Sequence, residues 1–459
     1  MANKTGLLVP TDIIEPEHTK IPNNRIVLLL TSVVYFIALY TILFYASQES
    51  FSSLIIPYCF AFMSYIYLCG YIKLERSITL LLILAICIRI ISIFSFPHLS
   101  EDVYRFWWDG TLLKNGINPF TYTPKEIIDL QLLHGEKLNE YYLKMNSPTY
   151  HTVYPVLSQL IYYLSASISN EDIYLFSILN KLCLFFAEIV CFTTFYTFIQ
   201  KSDKIKIPYL FYLLNPLVII EGFGNLHFEI MMYLFLLLSI HLLYKNKSIY
   251  AGIAISFSIL TKLTTLIFLP LFILKDNKIN FRILIPSILL LSTMFFLIYP
   301  LDQSLEGYKL YFKQFEFNSS AFIALSKILI YFGLPQLWNY RGLILMVIFC
   351  IFYLIIIHRF INKIQDQFSF AKLSFYLYAV FLIFNSTLHP WYFIPLIALG
   401  LFNFPLTSIY ISFIVVFSYS YYDQLWNQYF EVFRIIEYAS IFTLFAYEKR
   451  TPIFTNRGS

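Results

Sequence analysis

The sequence predicts an all-α protein, a polytopic transmembrane helix bundle of about 11–13 helices with a long external loop carrying membrane-surface helices. Three observations predict it. Hydrophobic residues make up 59% of the 459 and charged residues only 13%, and mean hydropathy is +0.68. Apolar stretches able to cross a hydrocarbon core of roughly 30 Å recur from Ile26 to Phe445 with short polar gaps. Basic residues cluster in those gaps, at Lys73 to Arg76, Lys201 to Lys206, Lys245 with Lys247, Lys275 to Arg282, Arg359 with Lys363, and Lys449 with Arg450. Cytoplasmic loops carry such clusters.

Taken in order, residues 1–25 form a polar cytoplasmic tail with no apolar centre of a cleavable signal, so the span beginning near Ile26 is a retained anchor. Spans ending near Ser47, over Leu54–Tyr71 and over Ile78–Phe96 then place residues 97–155 outside. This is the longest polar stretch, and it gathers Glu101, Asp102, Asp109, Glu126, Asp129, Glu136 and Glu140. Beyond it the apolar runs between Tyr154 and Lys201 leave their crossings open. The run Ile249–Leu274, with Lys262 at its middle, reads as a broken hairpin; a second external loop covers 300–320. The membrane domain spans 26–446, and 447–459 are a cytoplasmic tail. The net charge of +5 is accounted for by the cytoplasmic clusters and does not imply nucleic acid. Six cysteines lie scattered in apolar runs and read as buried free thiols. The absence of an internal repeat argues against a transporter built on inverted repeats, and no P-loop, Rossmann or zinc pattern is present.

Four places could carry chemistry. From Ser100 to Gly110, helical spacing puts Asp102, Arg105 and Asp109 on one face, two carboxylates bracketing a guanidinium. Trp107 and Trp108 point elsewhere and suit the headgroup level. The bland alternative is a surface helix with local ion pairs. Asn115-Gly116, followed by Pro119, is helix punctuation. The string from Asn215-Pro216 to Glu221, His227 and Glu229 places ionisable groups between apolar runs, where they face a cavity or satisfy a polar kink. Lys262 either snorkels or meets a phosphate in a helix break. His389-Pro390-Trp391-Tyr392 is a Pro-broken span end with aromatic anchors.

In their order along the chain, Ser100-Glu101-Asp102-Val103-Tyr104-Arg105-Phe106, Trp108-Asp109-Gly110, Gly116 to Phe120, Tyr154-Pro155, Asn215-Pro216 with Glu221 and His227, Thr261-Lys262, and His389 to Tyr392 form one pattern. That pattern resembles the GT-C superfamily of polytopic glycosyltransferases, most closely the bacterial polyprenyl-phosphate-mannose-dependent mannosyltransferases. The chain departs from it at Glu229, where the pattern has an aspartate, and after Tyr154-Pro155, where a second proline is missing.

The resemblance implies transfer of a hexose, foremost mannose, from a polyprenyl-phosphate sugar to a hydroxyl of a glycan, glycolipid or protein, with inversion. The membrane would be the bacterial cytoplasmic membrane, and the site would face outward. On this basis Asp102 is the expected general base, with Glu101 as alternate base or metal ligand. Arg105, Asp109, Tyr154, Glu221, His227, Glu229, Lys262, His389, Trp391 and Tyr392 are expected to bind substrate. A divalent ion, Mg or Mn, held by Glu101 and Asp102 is the one cofactor left open; the residues themselves demand none. The rival classes are a lipid or glycolipid flippase and a non-catalytic assembly protein, which would tolerate loss of Asp102.

Overall fold

The computed structural model describes residues 25–71, 75–199, 203–275, 278–298 and 316–451. The tail before residue 25, Lys73, Lys201, most of the 300–320 loop and the chain beyond 451 lie outside the described residues. Within the described residues the fold is helical; a two-residue hairpin, β1 (Leu274–Lys275) with β2 (Lys278–Ile279), is its paired strand structure.

Helices α1 (Arg25–Tyr45), α2 (Phe51–Tyr71) and α3 (Glu75–Ile93) come first. The loop helices α4 (Asp102–Lys114), α5 (Pro124–Asp129) and α6 (Glu136–Lys144) follow, then α7 (Val156–Ser169), α8 (Ile173–Ile199) and α9 (Asp203–Leu213). A π-helical turn, Val218–Gly224, leads into α10 (Glu229–Tyr244) at a bend of 109°. Next are α11 (Ser248–Thr261), a 3₁₀ turn over Leu263–Phe268, α12 (Leu269–Ile273), α13 (Phe281–Ile298), α14 (Ala321–Tyr331), α15 (Arg341–Phe360) and α16 (Gln367–Phe384). The last are α17 (Ile394–Gly400), α18 (Pro405–Ile414) and α19 (Phe430–Arg450).

Five described helices are long and apolar enough to cross a membrane: α1, α2, α8 over Ile173–Val190, the run Pro335–Lys363 around α15, and α16. The bent pair of the π-turn and α10 would make a sixth, and shorter apolar helices such as α7, α11 and α13 pack among them. The chain is a membrane protein. Only 6% of the Pro335–Lys363 window is buried within the protein, so lipid must cover that helix. The described cysteines are free, but the expectation of burial holds for Cys69 alone; Cys87 and Cys350 are exposed on apolar helices.

Local sequence chemistry sets the breaks. Asn115 caps α4, Gly116 follows at φ +74°, and the Ile117 amide donates to the Leu112 carbonyl, so the Asn-Gly pair stops the helix as its sequence suggested. Thr123 and Glu126 form a capping box that starts α5, which accounts for one of the loop's carboxylates. Gly110 lets α4 lie on α7: a Cβ there would sit 2.4 Å from the Tyr162 carbonyl oxygen.

Buried charge ties the bundle together. Arg89 of α3 pairs with Glu188 of α8 and donates to the Leu213 carbonyl at 2.8 Å. Lys181 of α8 donates to the Ser92 and Ser95 carbonyls, at 3.1 and 2.6 Å, and to the Ser95 hydroxyl at 3.0 Å. It thereby satisfies orphan acceptors at the C-terminal end of α3. Neither group stood out in the sequence. Glu188→Ala strands a buried guanidinium and is expected to cost about 3–5 kcal/mol. Thermal unfolding in detergent reads this, and Arg89→Leu with Glu188→Leu should recover much of the loss; equal melting of wild type and Glu188→Ala would show that the pair holds nothing.

Candidate functional site

Asp102 opens α4, and Glu101 occupies the position before it. The Asp102 side chain is half-buried; it accepts from the Asn146 amide at 3.4 Å. Burial holds its carboxyl above the usual aspartate range, offset in part by the Lys262 ammonium, by hydrogen bonds from Asn146 and Tyr154, and by Arg105. Glu101 is exposed at the loop surface; partial desolvation, the neighbouring Asp102 charge and Glu49 raise its pKa. No three His, Cys, Asp or Glu side chains gather as a metal shell among the described residues. Two adjacent carboxylates are a poor fit to a resident divalent ion, which takes several oxygen ligands.

The arrangement around Arg105 differs from the expected bracket. Its Nε donates to Asp109 Oδ1 at 2.8 Å, and its Nη1 donates to the carbonyls of Ser147 and Tyr150 at 3.0 and 2.8 Å. Asp109 is fully buried; its other oxygen accepts from Thr152 Oγ1 at 2.5 Å and Gln159 Nε2 at 2.8 Å. The pair is therefore a buried clasp joining α4, the 147–152 segment and α7, not the exposed ion pair that helical spacing alone allows. Trp107 and Trp108, expected at headgroup level, are buried as well, at 2% and 0% exposure. They pack on Tyr141 and Tyr142 of α6, because the loop folds over α4 and covers the face that would otherwise meet lipid.

The second polar centre forms where the π-turn bends into α10. Asn215 starts it: its Oδ1 accepts from the amides of Leu217 and Val218, and its Nδ2 donates to Ser412 Oγ at 2.9 Å. Gly222 allows the tight bend, since a Cβ there would lie 1.9 Å from Ile230 Cδ1. Glu221 accepts from Tyr419 at 2.8 Å and from Asn225 at 3.1 Å, and His227 Nε2 stands 3.6 Å from it. Glu229, at the start of α10, pairs with Lys262. Lys262 sits in an extended break between α11 and the 3₁₀ turn, so the expected interruption is present. Its ammonium does not snorkel; it lies between Glu229 and the face of Tyr392, 4.7 Å from the ring centre.

His389, Trp391 and His227 stack as one column, with ring centres 4.3 and 3.8 Å apart, and Phe317 covers the outer face of His389 at 4.4 Å. Tyr392 follows in the same turn and its carbonyl accepts from Tyr378. Tyr154 stands edge-on to Phe106 of α4 at 4.8 Å. The fold thus brings the expected residues of four separate segments to one region, with Asp102 within electrostatic reach of Lys262 and Glu229. Arg105 and Asp109 lie behind it in the clasp. Sequence reasoning missed Thr152, Gln159 and Tyr419, whose roles exist only as tertiary contacts with carboxylates far away in the chain.

Comparison with known proteins gives a family match. No curated protein and no solved structure matches this chain. The family model described as alpha-(1->6)-mannopyranosyltransferase, N-terminal domain, matches residues 46–275, which include Asp102, the bent polar turn and Lys262. The chain belongs to the alpha-(1->6)-mannopyranosyltransferase family.

Proposed function

We propose that this protein transfers mannose from a polyprenyl-phosphate donor to an acceptor hydroxyl with inversion at the anomeric carbon. The domain from 26 to 446 carries the reaction at the non-cytoplasmic face of a bacterial cytoplasmic membrane, and the acceptor is a glycan, glycolipid or protein. Family membership supports the mannosyltransferase part of this reading. The observation that supports the rest is that Lys262, in a helix break, lies within electrostatic reach of Asp102, from the acidic loop.

Asp102 takes the acceptor's proton as the hydroxyl oxygen attacks the anomeric carbon. The bond from that carbon to the phosphate oxygen breaks on the opposite side, and the leaving lipid phosphate gains negative charge. Lys262 is the nearby cation able to receive that charge. It is held beforehand by Glu229 and Tyr392, so it is ordered before donor arrives. Holding a lipid donor and an acceptor in one membrane-bound site removes much of the orientational barrier. Glu101, one residue away, is the alternate base. The stacked His227, Trp391 and His389 rings occupy one another's faces and form the site's rigid wall. Arg105 and Asp109 hold the loop that presents Asp102.

Asp102→Asn is expected to reduce turnover by about 10²- to 10⁴-fold while donor binding survives, because the amide keeps the shape but cannot accept the proton. Asp109→Asn should act on stability instead, since it weakens a buried ion pair. Measuring turnover and melting on both variants at matched expression separates the two; near-normal turnover in Asp102→Asn would remove it as base.

The raised Asp102 pKa fixes a sign. A base works ionised, so kcat/KM should fall as pH drops through a value above the ordinary aspartate figure of 3.8. A rate that stays flat down to pH ~4 would contradict this assignment.

Lys262→Met strands Glu229, so it is best made together with Glu229→Gln. The double variant should fold and insert but lose donor affinity, read as raised donor KM; unchanged donor kinetics would return Lys262 to a structural part.

A further inference from the structure

Glu221 was expected to touch substrate, yet both of its carboxylate oxygens are engaged inside the protein: one by the Tyr419 hydroxyl at 2.8 Å, the other by the Asn225 side-chain amide at 3.1 Å. The carbonyl oxygen of that same Asn225 amide accepts the Leu99 backbone N–H at 3.2 Å. Leu99 stands three residues before Asp102 in the short non-helical link between α3 and α4, where Ser100 Oγ in turn accepts the Asp102 N–H at 3.3 Å. All four members of the chain of bonds are at most 3% exposed. Asn225 is itself fixed, because its own N–H closes the π-turn on the Ile220 carbonyl at 2.8 Å.

We infer that the chain Tyr419–Glu221–Asn225–Leu99 sets where Asp102 sits, making Asn225, Glu221 and Tyr419 positioning residues for the transfer; the inference rests on the assignment of Asp102 as base. The link from α3 to α4 starts with turn bonds from the Phe94 and Ser95 amides to the Ile91 and Ser92 carbonyls, and beyond Ser95 it runs to α4 without regular structure. Lys181 pins the end of α3 through Ser92 and the first part of the link through Ser95, and Asn225 pins its last part through Leu99. Between these two anchors the backbone has little freedom, so α4 begins at a defined place relative to Lys262. Cutting the second anchor frees the end nearest Asp102. A displacement of about 1 Å at a reacting group costs on the order of 10²-fold in rate, and substrate contacts made elsewhere are untouched.

The test uses the full-length protein in nanodiscs, with kinetics and backbone hydrogen exchange. Asn225→Ala should lower kcat by about 10- to 100-fold with donor KM within about twofold. Exchange should quicken in peptides covering residues 96–104 and stay unchanged across α10. Tyr419→Phe preserves ring volume and cuts the chain at its far end; it should shift both readouts in the same direction by less, and it serves if Asn225→Ala does not yield folded protein. Unchanged exchange at 96–104, equal quickening in α10, or kcat and KM changing together would overturn the inference. An active Asp102→Asn enzyme would instead remove the base assignment, and the two failures are distinguishable because exchange reads the tether without reference to turnover.

Discussion

A charge carried into a protein surrounded by hydrocarbon must bring its counter-charge or its hydrogen-bond partners with it, because stranding it costs several kcal/mol. Much of this structure follows from that constraint. Arg89 with Glu188 ties α3 to α8, Arg105 with Asp109 ties the acidic loop to itself and to α7, and Lys262 with Glu229 ties the break after α11 to the start of α10. The first and third pairs join different helices, and the second, within α4, reaches the 147–152 segment and α7 through its further hydrogen bonds. Lys181 meets the same requirement with helix-terminal carbonyls. The pairs therefore act as joints, and the apolar helices fill the space between them.

Asp102 is set apart from this scheme. It is half-buried, receives a long contact from Asn146, and has cations near but none paired to it in a short ion pair. Asp109, two turns along the same helix face, is saturated by Arg105, Thr152 and Gln159. Two aspartates seven residues apart on one helix thus have opposite conditions: one locked and dry, the other reachable and held toward its protonated form by burial. Such a division lets one carboxylate build the loop while the other stays accessible.

The aromatic column is a second device that holds separate segments together. Phe317, His389, Trp391 and His227 stack in sequence, joining a loop residue, a Pro-broken turn and the bent polar turn. Stacked rings with two χ angles each are ordered at small entropic cost. The column keeps the turn that carries Tyr392 against Lys262, so the ammonium has a fixed place.

Local sequence encodes the membrane character, the helical fold, the stop at Asn115-Gly116 and the break at Lys262. These depend on local composition and on residue types that lipid punishes unless they are used, so they are legible in one dimension. Tertiary structure decided what each of those residues does. Helical spacing put Arg105 within reach of both Asp102 and Asp109, and only the folded 147–152 segment shows that it turns to Asp109. Trp107 and Trp108 looked like interface anchors until α6 covered them. Glu221 looked available for a ligand, and Tyr419 and Asn225 fill both of its oxygens. The reason is the same in each case: a periodic pattern states which way a side chain faces along its own helix, while the partner that satisfies it arrives from tens or hundreds of residues away, and no local pattern encodes that partner.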